Sequence, residues 1–354
     1  MTFQIKENKN NYRKSFKWII IDFDHILTRH YNGLKHHFQN IKPEKYHQGY
    51  QWDTDQVFLN ELRIHIQKKI KSIISTNRIN PKRVILINDN IQNDTAECMW
   101  RSSLWSEWTL KTKNDYYSSR LGSVRSQIFS LGLNYFLKIE EYTHFDYPNF
   151  EGDDIISIVT NSILVKYPND SVFIVTNDSD FYQLISPRTT ILNLDGISEP
   201  ERHYPTGLEN LWFNIIDGKM SNKVPGIKFK KDLLKSFLGS HYDLDVTRED
   251  NDEHYRKASR SEQHYLICNL EKTIKWITDT PGLIQNNQHI INQKIIDFKE
   301  IPTGYATNIS ESFWIKYYYV NSSSSYILNK DKYDKTFKNV LKTSSNPFAV
   351  LTVE

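Results

Sequence analysis

Three runs of consecutive apolar residues, each followed by aspartate, constrain the fold of this chain most strongly. They are KWIIID at 17–22, RVILIND at 83–89 and SVFIVTNDSD at 171–180. A run without polar alternation is typical of a strand covered on both faces, as in a parallel sheet with helices on each side. The chain is therefore expected to contain such a sheet.

Helical patterns separate the predicted strands. Residues 54–76 and 152–167 carry apolar side chains at helical spacing, and TTILNLDG at 189–196 predicts a fourth strand. Strands that alternate with helices indicate an α/β fold with a doubly wound, mostly parallel sheet. No strong strand pattern follows residue 212, so the last third of the chain is expected to be helical.

Length and hydrophobic content bound the domain organisation. A chain of 354 residues with 38% hydrophobic residues is long enough for one large domain and a smaller one. We expect a flexible tail at 1–15, an α/β domain at 16–212 and a helical C-terminal domain at 213–354.

Charge and cysteine content exclude several classes of protein. The net charge of +3 comes from 45 basic and 42 acidic residues, so affinity for polyanions must come from local clusters. Two cysteines are too few for a zinc cage or a disulfide framework. The polar N-terminus does not resemble a signal peptide, and no apolar run approaches the ~18 residues that cross a bilayer. We expect a soluble monomer of the cytoplasm, or of the host cytoplasm if a phage encodes it, with no membrane partner.

Acidic residues lie where the predicted strands end and where one predicted helix begins. They are Asp22, Asp89, Glu151, Asp153, Asp154, Asp178 and Asp180. The carboxyl ends of parallel strands share one edge of the sheet, so these side chains should converge. For each acid alone, a turn former or a helix cap is the simpler interpretation.

Together, crowded carboxylates repel one another and raise each other's pKa. A hard cation such as Mg²⁺ relieves this repulsion, and two such ions promote in-line phosphodiester displacement. We therefore predict that all seven acids are catalytic metal ligands.

The pair Asp22 and Asp24 leaves a second interpretation open, a phosphatase of the haloacid-dehalogenase type. That chemistry uses the pattern Asp-x-Asp-Gly-Thr, whereas His25 and Ile26 follow Asp24 here. The stretch EGDD could serve as its late acidic motif, but NDSDFYQL would then have no role. We therefore assign Asp22 as a ligand and Asp24 as a capping or supporting residue.

Five motifs, in order, carry a resemblance to a known family: IIIDFD, LIND, FEGDD, IVTNDSDFYQL and IIDGKMSNKVPGI. They resemble the flap endonuclease/5′→3′ exonuclease family, and most closely its ribonuclease H of the T-even-phage type. In that family Glu-x-Asp-Asp precedes a helix, and Ser/Thr-x-Asp-x-Asp-x-x-x-Leu follows the next strand. The similarity extends from about residue 17 to about residue 343.

The resemblance implies a fold and a function. The fold would be PIN-like, of the 5′-nuclease type, with a helix-three-turn-helix in the C-terminal region. The cofactor would be two Mg²⁺ ions, for which Mn²⁺ can substitute. The substrate would be duplex DNA or an RNA/DNA hybrid with a 5′ flap or nick. The biological role would be the removal of RNA primers or 5′ flaps in phage-type DNA replication. Single-strand-binding protein and a sliding clamp would be partners.

Two basic segments are candidates for nucleic-acid contact. MWRSSLWSEWTLKTKNDYY, at 99–117, lies where the family has an arch (about 95–125), which implies catalytic roles for Arg101 and Lys111 and a nucleic-acid contact for Lys113. The tryptophans of this segment also fit a core-facing helical stripe. In the second segment, at 219–239, phosphate contacts are expected from Lys219, Lys223, Gly226, Lys228, Lys230 and Lys231. A solvated lysine face is the alternative.

The chain departs from the family pattern at Asp217-Gly218-Lys219-Met220-Ser221-Asn222. Members read Gly-Asp-x-x-Asp-Asn, and both aspartates of that pattern serve the second metal. We predict a weakened second site in which Asp217 is the substitute ligand. A relative that binds flap DNA but cleaves it poorly is the remaining alternative.

Overall fold

A computed structural model describes residues 15–47, 49–52, 54–89, 100, 142–148, 150–219, 224–243 and 252–321. The arch segment, apart from Trp100, lies outside these residues, as do Met220 to Lys223. Among the described residues, no helix has the length and apolar character needed to span a membrane.

A five-stranded, fully parallel sheet forms the centre of the α/β unit, in the order β3-β2-β1-β4-β5. The strands are β1 (Lys17–Asp22), β2 (Val84–Ile87), β3 (Thr143–Phe145), β4 (Ser171–Val175) and β5 (Thr189–Leu192). The chain moves from β1 outward to β3 and returns to the other side of β1 as β4. The strand order therefore reverses between β1 and β4, where α/β sheets open a crevice for ligands.

Nine α-helices accompany these strands in the described part of the chain. They are α1 (Phe23–Ile41), α2 (Gln56–Asn77), α3 (Gly152–Lys166), α4 (Gly207–Asp217), α5 (Lys231–Leu238), α6 (Arg260–Cys268), α7 (Leu270–Asp279), α8 (Gln288–Ile296) and α9 (Thr303–Asn321). A 3₁₀ helix, Ser179–Leu184, follows β4. The predicted strand at 171–180 therefore ends early, because Asp178 caps this 3₁₀ helix.

Strand β1 shows why its sequence has no polar alternation. Ile19 and Ile21 pack into a core beneath helices α1 and α2 on one face of the sheet. Trp18 and Ile20 pack into a second core on the opposite face, beneath α3 and α9. Both faces are dry, and the α/β fold expected from the sequence is confirmed.

A third core joins helices α4 to α8 in the C-terminal region. A two-stranded antiparallel ladder, β6 (Phe229–Lys230) with β7 (Tyr255–Arg256), lies within it. The C-terminal region is helical as expected apart from this ladder, which the sequence does not signal because strands of two residues leave no pattern.

Helix α9 returns to the α/β unit, where its Ser310 Oγ lies 2.6 Å from Ser162 Oγ of α3. The sequence places α9 in the C-terminal domain, whereas the structure packs it on the sheet.

Candidate metal centre

Asp22 is held at the point where the strand order reverses. Its Oδ1 accepts a hydrogen bond from the His25 N–H (3.2 Å) and so caps α1. Its Oδ2 accepts one from Thr176 Oγ1 (2.9 Å), at the end of the neighbouring β4. Asp22 thus caps a helix and also lies at the edge of the sheet where a metal ligand was predicted.

Thr176 links Asp22 to the next acidic segment. Its Oγ1 also accepts from the Asp178 N–H at 3.0 Å, and Asp178 Oδ1 accepts from the Asp180 N–H at 2.8 Å. Thr176 is almost fully buried. It occupies the first position of the Ser/Thr-x-Asp-x-Asp pattern, and this signal could have identified it, although it was not among the predicted site residues.

Asp153, Asp178 and Asp180 converge. One carboxylate oxygen from each lies within 4.8 Å of the others, an arrangement that is able to hold a metal ion. Asp153 stands in the first turn of α3 and the other two follow β4. We refer to these three residues as the acidic cluster.

The pKa of Asp153 is raised well above its ordinary value. Burial is the main cause, and the negative charges of Asp178, Asp22, Asp89 and Glu151 raise it further. The pKa of Asp178 is also raised, by burial and then by the charge of Asp180. The carboxylates expected at this edge therefore act on one another electrostatically, although they are distant in sequence.

Gly152 allows α3 to begin directly against Asp89. Its N–H donates to Asp89 Oδ1. A Cβ at residue 152 would lie 3.0 Å from that oxygen, so either the Asp89 carboxylate or the helix end would have to shift by a few tenths of an ångström. The partial positive charge of a helix N-terminus favours a carboxylate in this position.

Asp24 supports the end of β2. It is 4% exposed, its Oδ1 accepts from Asn88 Nδ2 (2.7 Å) and its Oδ2 accepts from the Asp89 N–H (2.6 Å). Burial, followed by the charge of Asp89, raises its pKa well above the ordinary value. It thus orients the segment that carries Asp89 and does not cap a helix.

Asp154 and Glu151 are both almost fully buried. Trp100 Nε1 donates to Asp154 Oδ2 at 2.8 Å, and the Trp100 ring packs against the core beneath α3. Successive residues of a helix point about 100° apart, so Asp154 faces this core while Asp153 faces the cluster. Asp154 is absent from the acidic cluster among the described residues.

Comparisons with known proteins bear on the fold. No protein-family model matches the sequence, and no curated protein matches it. A mutant of T5 5′-exonuclease superposes with a TM-score of 0.51 at 11% identity, over 85% of this chain and 99% of that chain. This chain has the 5′-nuclease fold.

Two further solved structures are similar at lower scores. A T5 5′-exonuclease with bound zinc matches at 14% identity over 93% of this chain and 99% of that chain, with a TM-score of 0.47. A T5 flap endonuclease in a complex with DNA and metal ions matches at 12% identity over 85% of this chain and 99% of that chain, also at 0.47.

Within the 5′-nuclease fold, Lys219 occupies a position that the sequence did not suggest. Its Nζ lies 2.5 Å from Asp180 Oδ1 and 3.8 Å from Asp178 Oδ1, and donates to Ser179 Oγ at 2.7 Å. Only 12% of the side chain is exposed. The sequence assigned Lys219 to phosphate contact, whereas the structure directs its ammonium into the acidic cluster.

Asp217, the predicted substitute ligand, faces α6. Its Oδ1 accepts from Gln263 Nε2 at 3.2 Å, and its Oδ2 lies 3.4 Å from Arg260 Nη1. Among the described residues, Asp217 is not part of the acidic cluster.

Gly218 and Gly226 make a close backbone crossing possible beside Asp217. Gly218 has φ of +78°, and a Cβ there would lie 2.3 Å from the Gly226 nitrogen. A Cβ on Gly226 would lie 2.4 Å from the Asp217 carbonyl oxygen. Both φ and packing therefore require glycine at 218, whereas packing alone requires it at 226.

The remaining basic residues differ in exposure. Lys230 is exposed immediately before α5, and Lys228 is half-buried. Lys231 Nζ donates to the Asp252 carbonyl at 2.5 Å. Arg101, Lys111, Lys113 and Lys223 lie outside the described residues, so their predicted roles stay predictions.

Proposed function

We propose that this protein is a divalent-metal-dependent, structure-selective 5′ nuclease, a phosphodiesterase. The convergence of Asp153, Asp178 and Asp180 at the carboxyl edge of the sheet is the observation that carries the proposal. Carboxylate oxygens are hard ligands of the kind Mg²⁺ prefers, so the donor set fits Mg²⁺, with Mn²⁺ as a substitute. The pKa of Asp153 is raised by burial and then by repulsion from neighbouring carboxylates, and a bound cation would relieve that repulsion.

The side chains at this edge have two proposed roles, to hold the ion and to position the segments that carry its ligands. Asp153 and Asp178 would hold the ion, with Asp22 and Asp89 beside them and Asp180 in contact with Lys219. Thr176 and Asp24 fix the segments that carry these ligands. The chemistry that a divalent ion supplies when bound is polarisation of a phosphoryl oxygen and activation of water.

The proposed substrate is a duplex with a 5′ end, flap or nick, in DNA or in an RNA/DNA hybrid. The family resemblance and the shared fold of T5 5′-exonuclease support this class. Removal of RNA primers or flaps during phage-type replication, with a clamp and a single-strand-binding protein as partners, is the corresponding proposed role.

The phosphatase alternative is less compatible with the structure. It requires Asp24 to exchange protons with a substrate, but both oxygens of this buried carboxylate accept hydrogen bonds from Asn88 and Asp89. The Asp24 carboxylate therefore acts on β2 and is turned away from solvent.

The proposal is tested with labelled flap, nicked and blunt duplexes, each with Mg²⁺ or with a chelator. We expect Mg²⁺-dependent release of short 5′ products from the flap and nicked substrates. Asp195→Asn provides a matched control, because Asp195 is an exposed aspartate paired with Lys69 away from the cluster. Cleavage that survives chelation contradicts the proposal, and flap binding without cleavage would identify the cleavage-impaired relative.

A further inference from the structure

Lys219 is a positive charge placed inside a group of carboxylates. Its ammonium contacts both Asp178 and Asp180, two of the three members of the acidic cluster. Lysine is seldom buried without a partner, and here the partners are the same oxygens that would bind a metal ion. The side chain therefore competes for the cluster with any cation that bridges those two aspartates.

The backbone fixes this placement independently of the charge. The Lys219 N–H donates to the Val224 carbonyl (2.8 Å), and the Val224 N–H donates to the Lys219 carbonyl (2.9 Å). The crossing of Gly218 over Gly226 lies beside this pair of hydrogen bonds. Lys219 is thus delivered to the cluster by local geometry, with Ser179 Oγ as its neutral partner.

The neighbouring acid cannot take part in the same arrangement. Asp217 is engaged with Arg260 and Gln263 of α6. Among the described residues of the segment Asp217 to Asn222, it is therefore Lys219 that reaches the acidic cluster, and its side chain is positively charged.

We propose that the Lys219 ammonium is a built-in second cation, so that the protein binds a single divalent ion. This inference rests on the proposed metal-dependent function and concerns the number of ions. The single ion would lie nearest Asp153, with Asp22 and Asp89 as neighbours. Asp180 would then be neutralised by lysine instead of by metal.

The test measures the number of Mn²⁺ ions that the full chain binds without DNA. Electron paramagnetic resonance of free Mn²⁺ and calorimetry each give this number. The wild-type protein should bind one Mn²⁺ per chain. Lys219→Ala should bind two, because it removes the competing charge and vacates its volume. Lys219→Arg should bind one. Lys275→Ala is the matched control, since Lys275 pairs with Asp279 on an exposed helix and should leave the count at one.

Lys219→Met keeps the length of the aliphatic stem and serves as a second variant if Lys219→Ala does not unfold cooperatively. Two ions on the wild-type protein, or one ion on both Lys219→Ala and Lys219→Met, would overturn the inference alone. A wild-type protein that binds no Mn²⁺ and cleaves no duplex would overturn the proposed function as well.

Discussion

Two regions of this molecule bring a basic side chain into contact with carboxylates. In one region the charges balance, and in the other the negative charges are in excess. In the C-terminal region, Arg256 and Glu262 are both 0% exposed. Arg256 Nη1 and Nη2 donate to the two carboxylate oxygens at 2.7 and 2.6 Å. Glu262 also accepts from the Asp243 and Ser259 N–H groups. One positive charge is balanced by one negative charge, and protein groups make all of these hydrogen bonds to Glu262.

At the sheet edge, a single ammonium faces several carboxylates. Lys219 contacts Asp178 and Asp180, while Asp153 lies near them with a raised pKa. The charge of Lys219 lowers the pKa of Asp178, but burial and Asp180 outweigh it. A balanced buried pair stabilises one arrangement of the chain, whereas an excess of negative charge leaves a site that a cation can complete.

Removing one member of the unbalanced region should have the largest effect. Asp178→Asn is expected to reduce cleavage by about 1,000-fold or more, because a metal ion supplies several kcal/mol and each 1.36 kcal/mol is tenfold in rate. Duplex binding should persist, since the lysines proposed to contact phosphate, Lys228 and Lys230, lie outside the acidic cluster. Single-turnover cleavage and binding by fluorescence anisotropy measure the two effects. Full cleavage by Asp178→Asn would show that the cluster is not the catalytic centre.

Removing one member of the balanced pair should affect folding instead. Glu262→Gln leaves a buried guanidinium without its counter-charge and should lower the free energy of unfolding by about 3–5 kcal/mol. Urea denaturation measures this change. The double variant Arg256→Met/Glu262→Leu serves as the control and should lose less than the single variant, because no buried charge remains. If Glu262→Gln is as stable as wild type, the pair is not a stabilising unit.

His144 of β3 shows what burial does to a basic group when a nearby carboxylate, here Asp146, is too weak to compensate for it. Burial, and then the charge of Lys316, lowers its pKa from 6.5 to about 4. The unfolded chain therefore binds a proton at a pH where the folded chain does not, so stability should fall as pH drops from 6.5 towards 4. The loss between about pH 7 and about pH 4.5 should be about 2–3 kcal/mol.

A comparison of wild type with His144→Gln by urea denaturation at both pH values isolates this contribution from that of the carboxylates. The variant should lose less stability on acidification. Equal losses in the two proteins would mean that His144 is solvated in the folded state.

The sequence predicts the sheet far better than it predicts the segment around Lys219. The apolar runs around Ile20, Ile85 and Ile174 signal buried strands, and parallel topology then brings their terminal acids together. Strand β3 has three residues, too few for a pattern. Helix α1 was missed although Ile26, Leu27 and Leu34 lie at helical spacing, since the aspartates before it suggested only a site.

The orientation of Lys219 and Asp217 depends on the crossing of Gly218 and Gly226, which are eight positions apart. A close approach of this kind is set by tertiary packing, and the motif DGKMSN by itself does not specify which side chain faces the acids. The sequence assigned phosphate contact to Lys219 and metal binding to Asp217, whereas the structure points the lysine inward and the aspartate towards α6.

The smallest expected effect concerns Lys228 and Lys230, which contrast with Lys219. Lys230 is exposed before α5 and Lys228 is half-buried, so both ammonium groups are candidates for duplex phosphates. Neutralising both to alanine should weaken all duplexes about equally and lower the slope of log affinity against log salt by about one per lost contact. Lys275→Ala is the control, because Lys275 pairs with Asp279, and it should leave the slope unchanged. Because these contacts are to phosphate, the ratio of affinities for flap and blunt duplexes should stay constant. An unchanged slope in the double variant would return Lys228 and Lys230 to a solvated face, and would leave Lys219 as the functional lysine of this segment.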